Sequence, residues 1–518
     1  MYPEMENSIK RLRELKQRAQ FGGGEEKIKR EHQKGKLSAR ERIDRLLDAG
    51  SFNELHLLLG HTDGNAGEGV ISGYGTIDGR QVCVFSQDVT VRGGAMGLEH
   101  GMKVYRTMEM ALNMGVPLIG LNDSPGARAY KLDEPMPMTH EKGGGAIFFP
   151  NTQASGVIPQ ISAILGTCSG LAVYSPALTD FIFMVDGISQ MFITGPRIVK
   201  SVMSEDVSAE ELGGARVHAR VSGVCDFRSP TEDKCFQTIK KLLSFLPAHC
   251  RATPPVVETG DSPDRMDDDI ADLVPTDSRK GYNMKKVITR LVDNGDFLEV
   301  KGEFAPEMVV GFGRLEGHTV GIVANQPMAS AGALTINSSR KQARFMRFCD
   351  CFNIPIILLV DTPAYAPGSY QEHGGIIHHG AKVLYALCEA TVPRVAVILR
   401  KMYGGGNLGM GVHPGLGTDF VFAWPKAEMG TMGAKETVEL FYSDEIKKAE
   451  KPDELRQKLV SAYQEKYGTP FICASTGRFN IEDIIEPRET RLRLIRALRL
   501  LRSKNVTRYP KKHGNIPL

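Results

Sequence analysis

An α/β protein made of two copies of one domain is what this sequence predicts, on three observations. An ungapped echo runs at an offset of 238 residues. Gly73-Tyr74-Gly75-Thr76-Ile77-Asp78-Gly79-Arg80 returns as Gly311-Phe312-Gly313-Arg314-Leu315-Glu316-Gly317-His318, and Val116-Pro117-Leu118-Ile119 with Asp123-Ser124-Pro125 returns as Ile354-Pro355-Ile356-Ile357 with Asp361-Thr362-Pro363. Within each half, strand-length apolar runs end in glycine turns and lead into helical patterns, the grammar of β/α units. A stretch rich in proline and acid at 251–276 separates the halves. At 518 residues the chain exceeds the size at which a single core keeps growing, and domains are expected at 1–255 and 256–518.

Residues 6–48 are charged and helical in pattern. Ile9, Leu12 and Leu15 share one face, and Ala39 to Leu47 form a second short helix. Lys10, Arg11, Arg13, Lys16, Arg18, Lys34, Lys36, Arg40, Arg42 and Arg45 crowd this region. They read either as a solvated face or as an arm meeting ligand phosphates. Strands follow at Val70 to Ile77 and Gln81 to Gln87, then a helix carrying Leu98, Met102, Tyr105, Met108 and Leu112 at helical spacing. Buried strands are expected at Pro117 to Leu121, Ile161 to Leu165 and Phe181 to Val185. After the linker the programme restarts: Arg45-Leu46-Leu47-Asp48 is echoed by Arg290-Leu291-Val292-Asp293, Thr179-Asp180-Phe181 by Thr418-Asp419-Phe420, and Ile158-Pro159 by Val392-Pro393.

Composition narrows the function. The 64 basic and 61 acidic residues nearly balance, which removes the main reason to expect nucleic acid as a partner. The nine cysteines are scattered, only Cys349 and Cys351 are close, and no further Cys or His pair completes a zinc set. They read as small core residues in a reducing compartment. The opening Met1-Tyr2-Pro3-Glu4-Met5 lacks a signal-peptide run, and runs such as Ile354 to Val360 are too short to span a bilayer. A soluble cytoplasmic protein without a membrane span is expected.

The chemistry is expected in backbone loops. Small-residue turns at 123–128 and 167–171, and at 361–368 and 403–409, leave N–H groups uncovered and able to converge on one oxygen. Helix N-termini add partial positive charge, and together these make an oxyanion hole. Gly404-Gly405-Gly406-Asn407-Leu408-Gly409 also fits G-x-G-x-x-G, with Glu428 as a ribose acid. It lies late in its repeat, however, and its counterpart at 168–171 lacks the motif, which weighs against a dinucleotide site. His373, His378 and His379 lack the partners a metal needs and read as packing or capping groups. No Gly-x-Ser-x-Gly elbow, Walker A loop or Cys/His nucleophile pattern is present. No side chain stands out as a general base, which fits chemistry that brings its own.

Several segments name a family. Ala172-Val173-Tyr174-Ser175-Pro176-Ala177-Leu178-Thr179-Asp180-Phe181, Met191-Phe192-Ile193-Thr194-Gly195-Pro196 and Gln371-Glu372-His373-Gly374-Gly375-Ile376-Ile377 closely resemble biotin-dependent acyl-CoA carboxyltransferases. So do Glu389-Ala390-Thr391-Val392-Pro393, the segment 35–42 and the terminal Lys512-His513-Gly514-Asn515-Ile516-Pro517-Leu518. Propionyl-CoA carboxylase β subunits and methylmalonyl-CoA carboxyltransferases or decarboxylases are the nearest in pattern.

The resemblance implies two tandem crotonase-like (ClpP/crotonase) ββα-superhelix domains. It also implies a homo-oligomer, a hexamer with sites between the N domain of one subunit and the C domain of another. The first domain would take acyl-CoA, and the second would take biotin carried on a separate biotin carboxyl carrier protein, with a biotin carboxylase subunit as a possible further partner. Carboxybiotin would release CO2, its ureido anion would remove the acyl α-proton, and the enolate would take up the CO2. Two oxygens become anionic, so two oxyanion holes are wanted.

Carried over by position, catalysis falls on Gly170 and Leu171 and on Gly405 and Gly406. Substrate contacts fall on Gly126, Ala127, Arg128, Pro363, Ala364 and Leu408, with no metal. The chain departs from the family at Leu171 and Ala364, where glycine is common, and at 406–408, where acyl choice is tuned. The Gly-Asn-x-Gly-Met stretch at 406–410 resembles methylcrotonyl-CoA carboxylases instead. Direction is not encoded: an ATP-driven carboxylase, a transcarboxylase and a decarboxylase share this pattern. Two other readings stand beside it, a crotonase-like acyl-CoA enzyme without biotin and a non-catalytic scaffold subunit.

Overall fold

In this computed structural model, residues 2–62, 65–130, 141–413 and 415–515 are described, those at 61–62 and 65–66 for their backbone alone. Met1, of the opening segment, and Ile516, Pro517 and Leu518, of the terminal motif, lie outside the described residues. The chain divides into two compact units, Met1–Ala252 and Thr253–Leu518.

The first unit opens with three helices, α1 (Pro3–Gln20), α2 (Glu25–Gln33) and α3 (Ala39–Leu46). The sequence pattern suggested two. The break falls at Gly22 and Gly24, which take φ of 58° and 94°, values that favour glycine and cannot continue a helix. The main sheet then follows in chain order: β1 (Asn53–Leu55), β2 (Val70–Ile77), β3 (Arg80–Gln87), β4 (Leu118–Asn122), β5 (Gln160–Ile164), β6 (Phe181–Val185) and β7 (Phe227–Ser229). The pairs β1–β2 and β2–β3 are antiparallel and the rest parallel. Helix α4 (Leu98–Met114) connects β3 to β4. Strands β4 to β6 are buried along their whole length, as parallel strands covered on both faces must be. Val70, Phe85, Val104, Met108, Ile164 and Met184 belong to the core of this unit.

The second unit repeats the plan. Its sheet runs β8 (Leu298–Val300), β9 (Met308–Leu315), β10 (His318–Asn325), β11 (Ile356–Thr362), β12 (Arg394–Tyr403), β13 (Phe420–Ala423) and β14 (Asp483–Ile484), again antiparallel at β8–β9–β10 and parallel beyond. Helix α6 (Ile336–Cys351) follows β10, and α7 (Ile376–Glu389) packs beside it and leads to β12. Val309, Ile322, Leu359, Val397 and Trp424 share its core. The expected α/β class and the duplication are both present.

The echoed residues explain themselves in this frame. A Cβ on Gly73 would sit 2.1 Å from the Asn53 carbonyl, and one on Gly311 2.4 Å from the Leu298 carbonyl. The edge strand lies directly against the glycine backbone in both copies. At the hairpin tips, Asp78-Gly79 and Glu316-Gly317 all take positive φ, from 50° to 74°, the shape of a tight two-residue turn. Asp48 accepts both tip N–H groups in the first unit, at 3.0 and 2.9 Å. Asp293 does so in the second, at 3.2 and 2.7 Å.

Candidate functional site

Each unit carries one glycine turn of the same uncommon shape, built in the same way. In the first, the short strand Thr167–Ser169 pairs in parallel with Gln190–Phe192 and ends at Gly170, with φ 55° and ψ −121°, a region that excludes most side chains. Gly170 donates its N–H to the carbonyls of Phe192 and Ile193, 3.3 and 3.1 Å away, and α5 (Leu171–Ala177) opens at once. In the second, the end of β12 pairs with Glu428–Gly430. Gly404 takes φ 50° and ψ −135°, donates to the Gly430 carbonyl at 3.0 Å, and α8 (Gly405–Gly409) opens.

Each turn leaves two N–H groups over. Val173 donates back to the Gly170 carbonyl and Asn407 to the Gly404 carbonyl, both at 3.3 Å. Between them lie the amides of Leu171 and Ala172 in one unit and of Gly405 and Gly406 in the other. First-turn N–H groups have no intrahelical acceptor, and these four find none elsewhere among the described residues. Adjacent free donors on a fixed turn suit one oxygen on which negative charge develops. With helices of seven and five residues, the direct donors outweigh any macrodipole.

The sequence reading placed Gly170 itself among the donors. Its N–H is instead committed to the neighbouring strand, and the free pair sits one residue on, at Leu171 and Ala172. A signal for this exists in the sequence. Ile158-Pro159 echoes Val392-Pro393 at an offset of 234 residues, which carries Gly170 to Gly404 and Ala172 to Gly406.

The second expected loop of each unit lies against its turn. A Cβ on Gly126 (φ 101°) would stand 2.5 Å from the Ser169 carbonyl and 3.3 Å from the Leu171 nitrogen, so glycine is required there. Ser169 Oγ donates to the Pro125 carbonyl at 2.7 Å. In the second unit Pro363 and Ala364 occupy this place. A Cβ on Gly406 would meet Thr362 Cγ2 at 2.7 Å and Ala364 Cα at 3.5 Å. Ala364 has no positive φ, so its methyl group is carried without strain. Ala127 bridges to Met96. Arg128 is not free for a substrate: it pairs with the buried Glu68 and reaches the Ala95 carbonyl at 3.3 Å. Leu408 lies three residues after Gly405, on the same face of α8.

A buried aspartate holds each loop at its strand end. Asp123 accepts from Arg42 at 3.0 Å and Lys36 at 2.6 Å, and Arg42 also binds Glu232 at 2.8 Å. Asp361 pairs with Arg400 at 2.9 Å, and burial pushes its carboxyl above the usual range against the pull of Arg400 and Lys401. Lys34, Lys36, Arg40, Arg42 and Arg45 are all in ion pairs, so these cations of the basic region serve the fold. Burial drives the Cys168 thiol up to about 12, which leaves it a neutral packing group beside the first turn. Glu428 accepts the Tyr403 hydroxyl at 2.6 Å and so braces the second turn. His378 and His379 lie in the first turn of α7. No cluster of metal-ligating side chains gathers among the described residues, nor is any helix among them long and apolar enough to cross a membrane.

Comparison with known proteins gives the same outline. The carboxyl transferase domain family matches residues 30–516. The propionyl-CoA carboxylase carboxyltransferase subunit of Haloferax mediterranei is 48% identical over 522 residues, covering 99% of this chain and 100% of that protein. The methylmalonyl-CoA decarboxylase subunit alpha of Veillonella parvula is 47% identical, with 99% of each covered. The crystal structure of hexameric transcarboxylase 12S, with methylmalonyl-coenzyme A and methylmalonic acid bound, matches with a TM-score of 0.92 at 44% identity, over 99% of this chain and 98% of that one.

Proposed function

This chain belongs to the carboxyl transferase family, as two crotonase-like domains in tandem, and from that premise we propose that it moves a carboxyl group between biotin and the α-carbon of a short acyl-CoA of the propionyl or methylmalonyl type. The observation that carries the reading is the pair of matching turns, each with two free backbone N–H groups. Leu171 and Ala172 would hold the thioester oxygen as charge grows on it, and Gly405 and Gly406 the urea oxygen of biotin. The glycine pair suits a ring approaching closely, because no side chain shields its amides. Biotin, carried on a separate protein, would supply the nitrogen that holds the carboxyl group and takes up the acyl α-proton. The chain's own residues bind, orient and stabilise charge. Gly126 and Ala364 keep the adjoining loops close to the donors, and Leu408 limits the acyl group. A biotin carboxyl carrier protein and a biotin carboxylase subunit would be its partners, and a hexamer its assembly. Its nine cysteines, scattered along the chain, support a reducing, cytoplasmic setting.

The test is transfer from carboxyl-labelled methylmalonyl-CoA to free biotin by the full chain. Labelled carboxybiotin and propionyl-CoA in equal amounts are expected. Thioester hydrolysis or hydration independent of biotin would favour a crotonase-like enzyme without biotin. Binding of neither ligand by calorimetry would favour a scaffold.

A further inference from the structure

The two turns carry their side chains in opposite arrangements. In the first unit the turn residue is large: Leu171 packs on the apolar core, its Cδ1 3.9 Å from where a Cβ on Gly145 would lie. The loop residue across from it, at the bridge to Met96, is the small Ala127. In the second unit the turn residue is Gly405, and the residue at the corresponding bridge, to Leu334, is Tyr365. Bulk has moved from the turn to the loop beneath it.

Tyr365 fits this place closely. A Cβ on Gly405 would lie 3.0 Å from its Cδ2, one on Gly409 2.8 Å from its hydroxyl oxygen, and one on Gly380 3.3 Å from the ring. Three glycines on two helices thus make room for one aromatic ring. The ring is itself fixed. Leu334 donates to the Ala364 carbonyl at 3.0 Å and Ala366 to the Leu334 carbonyl at 2.8 Å, clamping the backbone on either side. The hydroxyl lies beside Ser339 of α6. A close-packed contact of this kind transmits small displacements instead of absorbing them.

We infer that Tyr365 is a positioning residue, whose ring sets the height of the Gly405 and Gly406 amides and so shapes the second oxyanion hole. The inference rests on the proposed function. An oxyanion donor acts only within a few tenths of an ångström of its place, and a turn with no side chain of its own takes that place from what lies under it.

The experiment is transfer from methylmalonyl-CoA to free biotin by the full chain, with thermal melting recorded for every variant. Tyr365→Phe keeps the ring and should stay near the parent rate. Tyr365→Ala should lose about 10²-fold in kcat, the worth of a displaced oxyanion donor, with KM for methylmalonyl-CoA unchanged. Tyr365→Leu keeps apolar volume without the flat ring and should also lose rate should the alanine variant fail to fold. Gly405→Leu, which drives a side chain into the ring, should lose as much. The double variant Tyr365→Ala with Gly405→Leu reproduces the first unit's arrangement and should recover about tenfold over Gly405→Leu alone, the non-additivity expected of residues in contact. An active parent whose folded Tyr365→Ala and Tyr365→Leu variants transfer at full rate overturns the inference, as does a folded double variant with no recovery. A parent that transfers nothing overturns the proposed function instead.

Discussion

Lys341 and Arg42 are two buried cations with different consequences for the fold. Lys341 lies deep in α6 and donates to the Phe304 and Ala305 carbonyls at 2.8 and 3.4 Å. Burial pulls its pKa down from 10.5 to about 7. Between those values the unfolded chain binds a proton that the folded chain does not, so stability rises with pH across the window and is lost as pH falls towards 7. Lys341→Met should flatten that rise by up to ~1.4 kcal/mol per pH unit, as read by urea unfolding across the window. An unchanged slope would show that the amine is solvated when folded. Arg42 joins Asp123 and Glu232 in one buried network. Arg42→Met takes the cation from buried Glu232 and leaves Asp123 with Lys36 alone, and should cost about 3–5 kcal/mol, seen as a large drop in melting temperature. The sequence shows Arg42 as one basic residue among many. Its partner Glu232 is 190 residues away, and no local pattern marks such a pairing.

At the scale of elements, the central strands such as β4, β5, β6 and β11 were legible because they are buried throughout. Runs such as Ile356–Thr362 have no polar face to alternate with. The echoed glycines marked the strands β2 and β9, and the structure adds the reason for them. Gly311→Ala would press a methyl group onto the Leu298 carbonyl and displace the edge strand β8. A loss on the order of 1–3 kcal/mol is expected, with early hydrogen exchange at 298–300; protection there equal to the parent's would contradict the packing argument. The two glycine turns were legible in location, with the N–H groups left over lying one residue further on in the first copy, because the echo shifts from 238 to 234 residues between the two loops of each unit. Tyr365 was not legible at all. Its role depends on three glycines from two helices meeting at one ring, and nothing in its sequence neighbours announces that.

For the molecule as a whole, duplication gives two turns of one geometry, and divergence makes them chemically unequal. Gly405 and Gly406 present bare amides, whereas Leu171 and Ala172 present amides with side chains attached. That difference suits the proposed pairing of one turn with the exocyclic oxygen of a flat urea ring and of the other with the carbonyl oxygen of a flexible thioester. Leu408 should then govern acyl size. Leu408→Ala should raise kcat/KM for butyryl-CoA relative to propionyl-CoA by about tenfold, the usual worth of one or two methylenes in an apolar pocket. An unchanged ratio in a substrate screen would remove Leu408 from the acyl site. The central claim is that backbone donors, with no side-chain base, supply the charge stabilisation. Leu171→Pro deletes one such donor at a helix position that tolerates proline, and Leu171→Ala controls for the lost side chain. In the transfer of a carboxyl group from methylmalonyl-CoA to free biotin, the proline variant should be folded and slower than the alanine variant by about 10²–10³-fold in kcat; equal rates for the two would contradict it.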